Sequence, residues 1–297
     1  MQPLDGPGPI RIAWTLLPLA VGPALGDALD GSSRAVELTG ATVAWGTWAT
    51  VLVAILLPRT LSLTALRIAA PAALAAASWA ALTGQRGTSD IVALTVAAVT
   101  AFIAFAPTTG DCFINGSAYG NERRMPLRVP GALLFGPLEL AWVAAIAAPV
   151  SVPLLLASKQ WLAAGAMTVV GTPAAVLSVR ALHGLSRRWI VFVPAGVVLH
   201  DLHAMVDPVL FPRPSIHRLG PAPHESDGAL DLTRQALGLA LEIELAEPAE
   251  LALRRRDGSA EVELAQLVMF TPTRPGAVLS EAARRGIEVG APGAQAT

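Results

Sequence analysis

The sequence predicts an α-helical transmembrane bundle of about six helices followed by a small, mostly-β domain, and three observations carry that fold class. The 297 residues are 53% hydrophobic and only 14% charged, with a mean hydropathy of +0.55, which is outside the usual range of soluble domains. Long uncharged runs occupy residues 1–186. From Ser186-Arg187-Arg188 onward the runs give way to short stretches in which apolar and polar residues alternate.

A bilayer core of about 30 Å needs about 20 apolar residues as a helix, and no unpaired backbone can face lipid. Spanning helices are therefore expected near 10–29, 38–57, 61–83, 91–108, 133–157 and 161–183. The first is the weakest, because Pro18 and Pro23 interrupt it. Only Arg11 and Asp5 carry charge before it, so a retained helix fits better than a cleaved signal peptide. The third is long enough only if it includes Arg67.

Orientation follows from the positive residues, which cytoplasmic loops retain. With the N-terminus inside, Arg11, Arg59, Arg67, Arg123, Arg124, Arg128, Arg180, Arg187 and Arg188 fall on the cytoplasmic side. Arg34, Arg86 and Lys159 fall outside. Both termini are thus expected in the cytoplasm of a cell-membrane protein. The outer loops are short, so function is expected within the helices or at the cytoplasmic face.

The long cytoplasmic loop from Thr108 to Pro130 holds Tyr119, Glu122, Arg123, Arg124 and Arg128. Arginines at a helix entry are ordinary topology determinants that face anionic headgroups. The sharper reading makes these five residues a docking element for the C-terminal domain. Within the spans, Asp27, Arg67 and Glu139 are ionisable and costly, which marks them for attention. Arg67 and Glu139 enter from the same side to similar depth, which permits an intramembrane ion pair, either as a structural clamp or as a transport site. Prolines inside the helices suit a transporter, but no repeat relates the first three helices to the last three.

Beyond residue 187 the alternation predicts strands at Trp189–Val193, Val197–Asp201, 208–211, 215–219, 229–232, 237–245, 250–254 and 262–270. Pro275 begins a closing helix that Gly286 ends. The β-rich domain is placed at 187–287 and a disordered tail at 288–297. Arg187, Arg188 and Trp189 are expected to anchor the last helix at the membrane interface. His200, His203 and Asp207 are the one set with atoms suited to zinc, but their spacing is loose and surface histidines are the ordinary reading.

The strand order with a terminal helix resembles the pleckstrin-homology-like domains that bacteria attach after transmembrane helices. The segments Tyr119 to Arg128 and Arg188 to Asp201 are similar to those of multi-pass membrane proteins of actinobacteria whose role is not assigned. The resemblance implies a scaffold or interaction module without catalytic residues to transfer. Phosphoinositide binding does not carry over, because the hairpin loop Val193-Pro194-Ala195-Gly196 is uncharged.

The formal net charge of −1 argues against nucleic acid as a partner. The single Cys112 is expected to be a free thiol. No catalytic or cofactor signature stands out, so no cofactor is expected and the reading leans away from an enzyme. The expected partners are the lipid bilayer and a protein at the cytoplasmic face. A small transporter or membrane enzyme using Arg67 and Glu139 is the alternative.

Overall fold

A computed structural model describes residues 6–84, 87–223, 228–255 and 258–290. Arg86, His224, Arg256, Asp257 and the tail from 291 lie outside the described residues. The chain divides into two compact units, one of residues 1–117 and 138–183, the other of residues 118–137 and 184–297.

Among the described residues of the first unit, six helices are long and apolar enough to cross a membrane. They are α1 (Gly8–Leu29), α2 (Arg34–Leu56), α3 (Thr60–Thr83), α4 (Thr88–Phe105), α6 (Pro137–Ala157) and α7 (Trp161–Leu185), with a short α5 (Pro107–Asn115) between the fourth and fifth. Leu162 and Phe102 are 92% and 78% exposed, an arrangement suited to lipid and poorly suited to water.

Polar groups fix the packing of the bundle. The indole N–H of Trp14 donates to the Trp48 carbonyl at 3.0 Å and that of Trp48 to the Trp14 carbonyl at 2.9 Å, joining α1 to α2. Arg11 donates to the carbonyls of Ile55 and Leu56, acceptors that the end of α2 leaves without intrahelical donors. Trp142 of α6 donates to the Ile68 carbonyl of α3 at 3.0 Å. Thr64 of α3 meets His183 Nδ1 of α7 at 3.0 Å. Midway along α7, Met167–Gly171 forms a π turn, a local insertion into the helical ladder.

The second unit holds two four-stranded sheets and a helix. The first sheet has the order β1 (Arg123–Pro126), β2 (Trp189–Val193), β3 (Gly196–His200), β4 (Val209–Pro212), antiparallel throughout. The second has the order β5 (Ile216–Pro221), β7 (Leu241–Arg254), β8 (Ala260–Phe270), β6 (Leu230–Asp231), with β6 parallel to β8. Helix α8 (Pro275–Arg284) contributes Val278 and Ala282 to the core shared with Met125, Ile190, Phe192, Leu199, Phe211, Ile243 and Phe270.

Several elements differ from the sequence expectation. The strands expected at 237–245 and 250–254 are one strand, β7, whose register shifts between Glu244 and Ala249. Pro248 has no N–H to give to a ladder, and the shift accommodates it. Residues 288–290, placed with the tail by composition, run beside β5, with Leu219 N donating to the Glu288 carbonyl at 2.9 Å. Arg123–Pro126, read as part of a loop, is an edge strand of the first sheet.

Candidate functional site

The best-defined polar constellation lies where the segment between α5 and α6 is built into the second unit. Its ladder with β2 pairs Arg123 with Phe192, Arg124 with Val191, Met125 with Ile190 and Pro126 with Trp189. Beyond β1 the same segment continues to bond. Leu127 N donates to the Arg188 carbonyl at 2.9 Å, Arg128 N to the Thr271 carbonyl at 2.8 Å, and Thr273 N to the Pro126 carbonyl at 2.9 Å. Gly131 N donates to the Arg234 carbonyl at 3.2 Å. A Cβ on Gly131 would stand 2.1 Å from the Gln235 carbonyl oxygen, so only glycine allows this approach.

Arg188 is the hub. Its Nε donates to Asp201 Oδ1 at 2.8 Å and its Nη2 to Asp201 Oδ2 at 2.6 Å, a bidentate pair with side chains 2% and 1% exposed. Its Nη1 donates to the Arg128 carbonyl at 2.5 Å. One guanidinium therefore joins the start of β2, the end of β3 and the interhelical segment. Asp201 Oδ1 also accepts the His203 N–H at 3.1 Å, which fixes the turn after β3.

Trp189 stacks on His200 with ring centroids 4.8 Å apart, and the Arg124 guanidinium lies 5.8 Å from the Trp189 ring centroid. Arg124 also pairs with Glu122 at 3.0 Å. Of the residues expected to anchor the membrane interface, only Arg187 is exposed. Arg188 and Trp189 are buried in the second unit. The reason is the partner that the sequence alone did not assign: Asp201, 13 residues away, draws the Arg188 guanidinium inward.

Of the five loop residues, Arg123 and Arg124 lie in β1, Glu122 pairs with Arg124, and Arg128 bonds through its backbone at both N–H and carbonyl. Tyr119 is 87% exposed. The segment is also held from α8, where Arg285 Nη2 donates to the Asn121 carbonyl at 2.6 Å. In the first unit, Arg67 Nε donates to the Ala104 carbonyl at 3.3 Å and its guanidinium lies 5.6 Å from the Phe105 ring centroid. Glu139 lies in the first turn of α6, where a carboxylate suits the positive end of the helix.

His200 Nδ1 meets the Arg187 carbonyl at 2.9 Å, so one of its ring nitrogens is already occupied. Partial burial holds the His203 imidazole below its usual pKa, a shift that the Asp201 carboxylate partly opposes. Among the described residues, no three His, Cys, Asp or Glu side chains are grouped to hold a metal ion, and His200, His203 and Asp207 form no such group.

Sequence reasoning also missed a second buried pair. Arg218 of β5 donates Nη2 to Glu242 Oε1 and Nε to Glu244 Oε2, both at 2.9 Å, and Nη1 to the Gly290 carbonyl at 3.0 Å. Arg218 and Glu242 are 7% and 2% exposed. The signal was Arg218 itself, a charge beside His217 in a strand that is otherwise apolar. These sites position backbone and exclude water, which makes them structural joints.

Comparison with protein-family models, with curated proteins and with solved structures finds no match to this chain.

Proposed function

We propose that the chain is a cell-membrane protein with both termini in the cytoplasm, and that its β-rich unit is an interaction or scaffold module that binds a protein partner at the inner leaflet. The observation that carries this reading is the pairing of β1 with β2. Residues 118–137 precede α6 and residues 184–297 follow α7, yet both belong to one compact unit. Two strands of one sheet cannot lie on opposite sides of a bilayer, so the chain between them crosses an even number of times. Helices α6 and α7 supply two crossings.

The arginine distribution supports the cytoplasm as the shared side. Sheet, second sheet and closing helix support a pleckstrin-like plan, here with its first strand drawn from the interhelical segment and with a parallel edge strand, β6. Arg67, engaged by Ala104 and Phe105, is read as a packing element between α3 and the end of α4.

Proximity labelling from a C-terminal fusion tests the proposal, with a chain ending at His183 as comparison. The proposal expects a restricted set of soluble proteins that the shortened chain does not label. Labelling of bulk membrane proteins alone by the full chain would overturn it.

A further inference from the structure

Strand β8 has one edge fully used and one largely open. Its pairing with β7 runs from Phe270 opposite Leu241 to Ala260 opposite Arg254. On the other edge, β6 pairs only with Val268 and Met269. Leu232 N donates to the Met269 carbonyl at 3.0 Å, so the backbone of Met269 faces that second edge. Past the register shift between Leu267 and Ala265 the parity changes: Arg255 N donates to the Ser259 carbonyl, and Ala252 and Arg254 bond away from β8 to Val206 and Ala204. Glu261, Glu263 and Ala265 therefore bond to β7, and the N–H and C=O groups of Val262 and Leu264 face the second edge. No described residue pairs with them there.

The side chains beside this edge are sorted by face. Val262 and Leu264 are 63% and 67% exposed and lie on one face, opposite Ala252 and Glu250 of β7. Glu261 and Glu263 lie on the other, opposite Leu253 and Leu251. An open edge with exposed aliphatic residues invites strand addition, and charged side chains on it reject strands that cannot neutralise them. Arg255 pairs with Glu261, but both are exposed at 57% and 44%, so solvent screens the pair and a competing cation can displace it. Glu263 has no ion-pair partner among the described residues. A cleft of about 510 Å³ near Glu261 is of mixed charge, lined by Asp231 and Glu261 together with Arg234, Arg254 and Arg255.

We propose that the open edge of β8 at residues 261–265 docks an extended segment of a partner protein in which basic and aliphatic residues alternate. The added strand takes the free backbone groups. Its basic side chains meet Glu261 and Glu263, and its aliphatic ones cover Val262 and Leu264. The inference rests on the interaction-module reading and names its surface and the chemistry of its partner.

The test uses the full chain in nonionic detergent and a fluorescent seven-residue peptide alternating arginine and valine. A peptide alternating glutamate and valine is the control. The arginine peptide is expected to bind at least tenfold more tightly than the control and to slow amide exchange at Val262 and Leu264. Val262→Pro removes an outward N–H without touching the β7 ladder and is expected to weaken binding at least tenfold, with the far-ultraviolet dichroism unchanged. The double variant E261K/E263K is expected to reverse the preference between the two peptides.

Equal binding of both peptides, no binding, protection elsewhere in the chain, or an unreversed preference would each overturn the edge assignment. Proximity labelling with Val262→Pro separates this from the parent reading. If the partner set survives the substitution and the peptide does not bind, the edge fails and the module stands. If the peptide binds but the full chain labels no restricted set, the module reading fails instead.

Discussion

Asp201→Ala should destabilise the β-rich unit more than most single substitutions, because it strands a buried charge. In the parent, the carboxylate takes two bonds from Arg188, at 2.8 and 2.6 Å, and one from the His203 N–H at 3.1 Å. Both charged side chains are at most 2% exposed, so after the substitution water cannot reach the guanidinium without opening the core. Removing one member of such a pair costs about 3–5 kcal/mol. That is a large part of the roughly 5–15 kcal/mol by which a domain is usually stable.

Urea unfolding of the full chain in nonionic detergent is the assay. With a slope of about 2 kcal/mol per molar, the midpoint of the β-rich unit should fall by about 2 M. The double variant Arg188→Met/Asp201→Leu removes both charges and should recover much of the loss. It should fall short by about 2 kcal/mol, because the Arg188 bond to the Arg128 carbonyl and the His203 N–H bond to Asp201 are also gone, at about 1 kcal/mol each. A single variant within about 0.5 kcal/mol of the parent would refute the reasoning, as that is the size of an ordinary surface change. So would a double variant less stable than Asp201→Ala.

Two further outcomes follow from local contacts. His203 has a folded pKa below its unfolded value near 6.5. The unfolded chain therefore binds the proton first, and stability is retained above pH 6.5 and declines as the pH falls toward the folded value. Comparing urea midpoints at pH 7.5 and 5.5, His203→Gln should show a smaller decline than the parent, and an equal or larger one would contradict the assignment. In the bundle, Thr64→Val removes a 3.0 Å contact between α3 and α7. Polar contacts between membrane helices are worth about 0.6 kcal/mol on average, so a small drop in thermal stability in detergent is expected and a rise would count against it.

Most of the spanning helices were legible because uncharged runs close to 20 residues long match a bilayer core, whereas the first and third held Pro18, Pro23 and Arg67. Their ends were less so. Arg34 and Glu37 hide the first turn of α2 from a hydropathy reading, yet Ser33 caps that turn by accepting the Val36 N–H at 3.4 Å. The short helix α5 begins on Pro107, a residue that signals a helix start as readily as a loop.

In the β-rich unit the alternation of Trp189–Val193 and Val197–His200 was plain, whereas β1 was not. Arg123-Arg124-Met125-Pro126 has two charges and a proline in four residues and is a strand only because β2 supplies its ladder. The candidate site was legible in part for the same reason. Arg188 and the loop arginines drew attention, but the partner that decides their role, Asp201, is near them only after β2 and β3 pair.

The segment between the fourth and fifth spanning helices supplies a strand to the β-rich unit. A disulfide between Arg124→Cys and Val191→Cys, placed in membranes in a Cys112→Ser background, tests it most directly, since these positions face each other in the β1–β2 register. Facing residues of an antiparallel pair stand about 4.5–5.5 Å apart at Cα, within disulfide range. A cysteine at Val193 is two residues out of register and beyond easy reach. Near-complete crosslinking of the first pair with little of the second is the predicted result. No crosslink at 124–191, or equal yields from both pairs, would contradict the account.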